Sequence, residues 1–194
     1  SIHREVVVIK ERSTEVWNNA GTAGFAFQPL GATMIETGTI APASAAKVGE
    51  SLIWLNRSSQ GAGTVVQMDG FATKKISTYA VENVLNDNIT TLDLSFGYGY
   101  QQEGHQYYVM TLPEAGLTFV YDKTGSEQSG VPIWYQWLYL NPISGLFEKH
   151  RGNAYAFFSD TCVLGDYANG KLYAIDLDTL TDNEVPRKWQ RSWR

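Results

Sequence analysis

Four segments of one kind recur along the chain: Thr14-Glu15-Val16-Trp17, Thr64-Val65-Val66-Gln67, Thr118-Phe119-Val120-Tyr121 and Leu172-Tyr173-Ala174-Ile175. Each closes a hairpin bounded by Gly or polar residues. They begin at positions 14, 64, 118 and 172, so the spacings are 50, 54 and 54. A period of that size is too long for a solenoid turn and fits one meander of three or four antiparallel strands. A single meander cannot bury both of its faces, so such units must stack on neighbours.

Each unit opens with an apolar strand, passes a turn and returns through the recurring segment. Val6-Val7-Val8-Ile9 returns as Glu15-Val16-Trp17, and Ser51-Leu52-Ile53-Trp54-Leu55 crosses Asn56–Gly63 to return as Thr64-Val65-Val66-Gln67, ending at the turn dipeptide Asp69-Gly70. Gln106-Tyr107-Tyr108-Val109-Met110 returns as Leu117–Tyr121. In the fourth unit Ala154–Phe158 and Thr161–Leu164 pair with Lys171–Ile175 across a loop holding Asn169-Gly170, the best short hairpin signal in the chain. Phe71–Ile76 and Ile133–Tyr139 extend the second and third units by a strand. One helix is expected, capped by Ser77 or Thr78, with Val81, Val84 and Leu85 at spacings of three and four. The expectation is an all-β fold, a β-propeller-like array of antiparallel blades with about four repeat units and one short helix. It occupies residues 1–194 as a single region. The strand-like start at Ile2 and the Arg-Trp-Arg end read as cuts inside a longer protein.

Composition supports a packed core, with 43% hydrophobic and 18% charged residues. The net charge of −5 argues against gripping nucleic acid with the whole surface. A local basic patch closes the chain, Arg187-Lys188-Trp189-Gln190-Arg191-Ser192-Trp193-Arg194. Arg187, Lys188 and Arg191 are candidate contacts to an acidic partner or a phosphate backbone, and the same pattern equally fits a strand packing Trp189 and Trp193. Cys162 is the single cysteine and sits in an apolar strand, which excludes a disulfide framework and makes an inert buried thiol the expected reading. No apolar stretch reaches the length of a membrane span.

Motifs for chemistry are missing. His3, His105 and His150 are scattered, each just ahead of a strand, with none three or four residues from another. Asp176 and Asp178 fall short of a calcium loop, because the fifth position is Leu180 and the sixth Thr181. Gly61-Ala62-Gly63 is a hairpin tip without the continuation of a phosphate loop, and no nucleophile elbow occurs. No catalytic residue, cofactor or metal is expected, and the chain is not expected to be an enzyme.

Glu11–Trp17, Tyr100-Gln101-Gln102-Glu103-Gly104-His105, His150-Arg151-Gly152-Asn153 and Gly165–Tyr173, taken together, resemble the packaged-DNA stabilisation proteins of short-tailed bacteriophages. Trp54-Leu55, Gln60-Gly61, Asp69-Gly70-Phe71 and Ile76-Ser77-Thr78 add to the resemblance where that family has a blade hairpin followed by a short helix. The resemblance implies a structural protein of the virion tail, made in the host cytoplasm and forming part of a homo-oligomeric ring below the portal and its adaptor. Such a ring completes the channel, keeps the DNA in the capsid and supports other tail components. It implies phage portal, adaptor and tail proteins as partners, non-specific proximity to packaged DNA, and no membrane.

The loops Asn56–Gly63, Lys123–Gly130 and Leu140–Gly152 are the expected partner surfaces, being long, polar or Gly-rich and set between strands. Lys149, His150 and Arg151 in the third are the named candidates. The rival reading is a carbohydrate-binding or carbohydrate-cleaving propeller, motivated by Trp134, Tyr135, Trp137 and Tyr139. Their alternation equally places Tyr135, Trp137 and Tyr139 on one core face.

Overall fold

The computed structural model describes residues 5–31, 34–58, 60–176, 178–179, 181–182 and 185–186. Four meander sheets follow one another in chain order. The first holds β1 (Glu5–Ile9), β2 (Thr14–Asn19) and β3 (Phe27–Pro29). The second holds β4 (Ala46–Val48), β5 (Ser51–Arg57), β6 (Gly63–Asp69) and β7 (Ala72–Lys75). The third holds β8 (Phe96–Gln102), β9 (His105–Leu112), β10 (Leu117–Asp122), β11 (Ile133–Leu140) and β12 (Phe147–Lys149). The fourth holds β13 (Gly152–Phe158), β14 (Thr161–Asp166) and β15 (Leu172–Ala174), and a two-residue pair, β16 (Thr181–Asp182) with β17 (Val185–Pro186), follows. The recurring segments fall in β2, β6, β10 and β15, so the repeat period is one sheet per unit. Neighbours pair as their sequences suggested: Val7 opposite Val16, Leu55 opposite Val65, Val109 opposite Val120 and Leu164 opposite Tyr173.

The chain divides into two compact units, Ser1–Arg151 and Gly152–Arg194. In the first unit, the second sheet carries apolar side chains on both faces, as a stacked blade must. Trp54, Val66 and Met68 pack with Val16 of the first sheet, and Val7 and Ile9 join them. The alternate residues Ile53, Leu55 and Val65 pack with Tyr108, Met110, Phe119 and Tyr121 of the third sheet. Period-two alternation therefore divides one hairpin between two cores. Polar anchors fix the layers: the Trp54 indole donates to the Gly38 carbonyl at 2.8 Å, and the fully buried Tyr108 hydroxyl donates to the Ser44 carbonyl at 2.7 Å.

Two features were not visible as local pattern. β8 reads Phe-Gly-Tyr-Gly-Tyr, and glycines weaken a strand signal. Here they serve close approach: a Cβ on Gly99 would lie 2.3 Å from the Lys47 carbonyl oxygen, so β8 can lie against β4 only without a side chain at that position. A second helix also forms. Alongside the expected α1 (Tyr79–Asp87), which buries Val81 and Leu85, α2 covers Lys123–Ser129, where the sequence suggested an open loop. Its propensities are poor, but Asp122 caps it by accepting from the Gly125 amide at 2.8 Å, and Gly130 ends it with φ +74°. Among the described residues no helix is long and apolar enough to cross a membrane.

The second unit contains a test of turn chemistry. Phe158 pairs with Thr161, leaving Ser159 and Asp160 as a two-residue hairpin turn with φ of 48° and 57°. Both residues take the left-handed conformation that such turns require and that Asn-Gly fills best. The double change Ser159→Asn with Asp160→Gly is expected to stabilise the unit by roughly 1 kcal/mol. A rise in the denaturant midpoint checks this, and a fall would contradict the turn assignment.

Candidate interaction surface

β11 divides its aromatic residues between two faces. Trp134 turns toward the second sheet, donating its indole N–H to the Ile76 carbonyl at 2.9 Å and meeting the Tyr121 ring at 5.1 Å. Tyr135, Trp137 and Tyr139 share the opposite face by alternation. Tyr135 is about half exposed there and Trp137 and Tyr139 are partly buried.

On that face the third sheet curls until non-neighbouring strands touch. The Trp137 ring on β11 lies 5.7 Å from Tyr100 on β8, although β9 and β10 stand between them in the sheet. Tyr100 stacks on Tyr107 at 4.9 Å and Tyr107 on His105 at 5.8 Å, while Trp137 meets His150 at 5.0 Å on its other side. The result is a continuous ladder of five rings. Next to His150 in the chain, Arg151 stands 4.1 Å above the Tyr139 ring, a cation over an aromatic face. At the far end Asp122, 3% exposed, bonds the His105 Nδ1 at 3.0 Å and orients that ring. Burial raises the pKa of the Tyr107 hydroxyl, and the negative charge of Asp122 adds to the rise. Burial alone raises that of Tyr98.

Of the named candidates, Lys149 ends β12 opposite Leu138, His150 joins the ladder at Trp137 and Arg151 stands over Tyr139, all three partly exposed. The structure therefore joins His150 and Arg151 to aromatic residues of β11, while Lys149 pairs with Leu138 on the other face of the strand. Arg187, Lys188 and Arg191 lie outside the described residues. The rest of this loop is a hairpin: Asn141 accepts at its side-chain oxygen from the Ile143 and Ser144 amides and donates to Glu148 Oε1 at 2.7 Å. This bracing holds Ile143 (96% exposed), Leu146 (66%) and Phe147 (52%) out in solvent. Three exposed apolar side chains on a rigid tip suit a protein contact.

The other two loops differ. Between β5 and β6 the Ser58 amide donates to the Ala62 carbonyl at 2.7 Å, and the Gly63 amide is held by Asn86 Oδ1 at 2.9 Å. Lys123–Gly130 is a capped helix whose Lys123 turns inward to Gln106 and Glu127, so its cation is engaged within the fold. The five-ring ladder escaped sequence reasoning because its members come from β8, β9 and β11 and from residue 150. Only pairing register and curl bring them together. Among the described residues, no group of three or more His, Cys, Asp or Glu side chains is placed to hold a metal ion.

A family model described as bacteriophage P22 Gp10, beta-propeller, matches residues 1–180. None of the curated proteins compared with the chain matches it.

Proposed function

The chain belongs to this phage-stabilisation family, and on that premise we propose that it is a structural protein of a short-tailed phage virion that helps keep packaged DNA in the capsid. It sits in the tail below the portal and adaptor as part of a ring of identical subunits, and it supports the attachment of further tail components. The role is mechanical rather than enzymatic. The family match over residues 1–180 carries this reading, and stacked sheets with two-sided cores supply the stiffness a channel component needs.

The β11–β12 hairpin is the partner surface in this reading, with Ile143, Leu146 and Phe147 as the apolar contact and Lys149 and Arg151 as flanking cations. The rival sugar reading would rest on Tyr135, Trp137 and Tyr139, since Trp134 faces the core.

Sedimentation of the chain with a purified portal–adaptor complex from a short-tailed phage tests the proposal, and the chain is expected to migrate with the complex. Ile143→Asp combined with Lys149→Glu is expected to weaken that binding at least tenfold, or about 1.4 kcal/mol, while leaving the far-UV spectrum unchanged. A wild-type chain that stays free of the complex and scores on a glycan array would overturn the tail reading in favour of sugar recognition.

A further inference from the structure

Three asparagines among the described residues make the same local hydrogen bond, in which the side-chain oxygen accepts from the backbone amide two residues on. Asn19 accepts from Gly21 at 2.9 Å, Asn141 from Ile143 at 2.9 Å and Asn169 from Lys171 at 2.8 Å. This bond folds the side chain back along the chain, with its carbonyl carbon over the amide nitrogen of the next residue. That nitrogen is the nucleophile when an asparagine closes into a succinimide, and holding the two atoms together favours the closure.

The three sites differ in the nitrogen. After Asn141 it belongs to Pro142 and has no hydrogen to lose. After Asn19 it belongs to Ala20, whose N–H is committed to the Ala26 carbonyl at 2.8 Å. After Asn169 it belongs to Gly170, in the chain's single Asn-Gly dipeptide. Among the described residues the Gly170 N–H has no acceptor, and no side chain on Gly170 blocks the approach. Both residues are exposed, and a Cβ built on Gly170 would meet no atom within 4 Å, so the turn has room for the ring.

The other atoms of the Asn169 amide are engaged in a way that suits the reaction. The Lys171 N–H points at Oδ1, where negative charge grows as the carbonyl carbon becomes tetrahedral, which is the role of an oxyanion donor. Nδ2 donates to the Tyr173 hydroxyl at 3.1 Å, so a proton source touches the nitrogen that must leave. Tyr173 is held there in β15 by its pairing with Leu164 of β14.

We propose that Asn169 is a self-modifying site, converted by its own hairpin into aspartate and isoaspartate. The Gly170 nitrogen gives its proton to water and bonds to the side-chain carbonyl carbon of Asn169. The bond from that carbon to Nδ2 breaks, and the nitrogen leaves as ammonia with a proton from the Tyr173 hydroxyl, which regains one from water. Water then opens the imide at one of its two carbonyls, leaving aspartate on the original backbone or isoaspartate with the backbone routed through the side chain. In sum, water is consumed and ammonia released. Either product adds a negative charge to a loop that already holds Asp166. Isoaspartate also lengthens a loop that the Asp166 amide closes on the Lys171 carbonyl at 2.9 Å, so the second unit changes with age. The site is independent of the tail reading.

Tryptic peptide mapping by mass spectrometry tests this on the full chain incubated at mildly alkaline pH. Conversion to the acid is expected at Asn169, with Asn19 and Asn141 unchanged over the same period. The native chain is expected to convert Asn169 at least as fast as the chain unfolded in guanidinium, because only the folded hairpin presents both hydrogen-bond partners. Tyr173→Phe is expected to slow the native reaction about tenfold, a modest part of the roughly 10²–10⁴-fold that a positioned general acid supplies in enzymes, and to leave the unfolded rate as it was. A native rate below the unfolded one overturns the inference. So does conversion at Asn19 equal to that at Asn169, or a folded Tyr173→Phe chain that converts at the wild-type rate. If that variant loses its strand spectrum, the comparison of native and unfolded wild type decides alone.

Discussion

Trp54→Ala is expected to lower the stability of the Ser1–Arg151 unit by about 3–5 kcal/mol, the range for removing a buried large aromatic side chain. Trp54 is fully buried in β5 and packs with Val16 of the first sheet and with Val66 and Met68 of its own. Its loss leaves a cavity between the first and second sheets that the β-sheet backbone cannot close, and it strips the Gly38 carbonyl of its indole donor. Trp54→Phe separates the two contributions. It keeps most of the packing and loses the hydrogen bond, and is expected to cost about 1–3 kcal/mol. Denaturant unfolding followed by far-UV circular dichroism gives the totals, and amide exchange locates them. Protection is expected to fall first in β1 and β2, which depend on this contact. A cost below about 1 kcal/mol for the alanine variant would mean that the first sheet is not held by the cluster around Trp54.

The hairpin that the sequence displays most clearly is one whose strands are apolar on both faces. β5 and β6 carry apolar residues around a turn of Ser, Gly and Ala, so pairing and length could be read without knowing the neighbours. β8 could not be read so, because Gly99 makes sense only once β4 lies against it and Gly97 only once the Tyr108 side chain of β9 packs beside it. Helix α2 was hidden for a related reason: Lys-Thr-Gly-Ser is a weak helix sequence, and a buried cap from the preceding strand starts it. The Trp134, Tyr135, Trp137 and Tyr139 alternation was plain, and which face meets the core was not, since that depends on the sheet packed behind it. His105 heads its strand as its position after Gly104 suggests. Its bond to Asp122 follows from the register that places Asp122 opposite Tyr107, a fact of pairing rather than of spacing.

Asp122→Ala is the second large effect, expected to cost about 2–4 kcal/mol from two sources. Removing a helix N-cap costs about 0.5–2 kcal/mol, and leaving buried donors without their acceptor costs about 1–3 kcal/mol more. The side chain is almost completely enclosed and serves both the Gly125 amide and the His105 ring. Asp122→Asn keeps an oxygen that can accept from Gly125 and is expected to cost less than half as much. The consequence reaches the partner surface through one short path. Ser126, in the helix that Asp122 caps, donates to the Asp122 carbonyl and accepts from the Ile133 amide at 2.8 Å, and Ile133 begins β11. Fraying of α2 therefore releases the start of the strand that carries Tyr135, Trp137 and Tyr139. In the alanine variant, amide exchange is expected to speed up at Gly125 and Ile133 together, and portal–adaptor binding to weaken along with it. The asparagine variant is expected to keep both near the wild type. Equal losses in the two variants would assign the effect to the carboxylate's bond with His105 rather than to the cap. Faster exchange confined to Gly125 would break the link between α2 and β11.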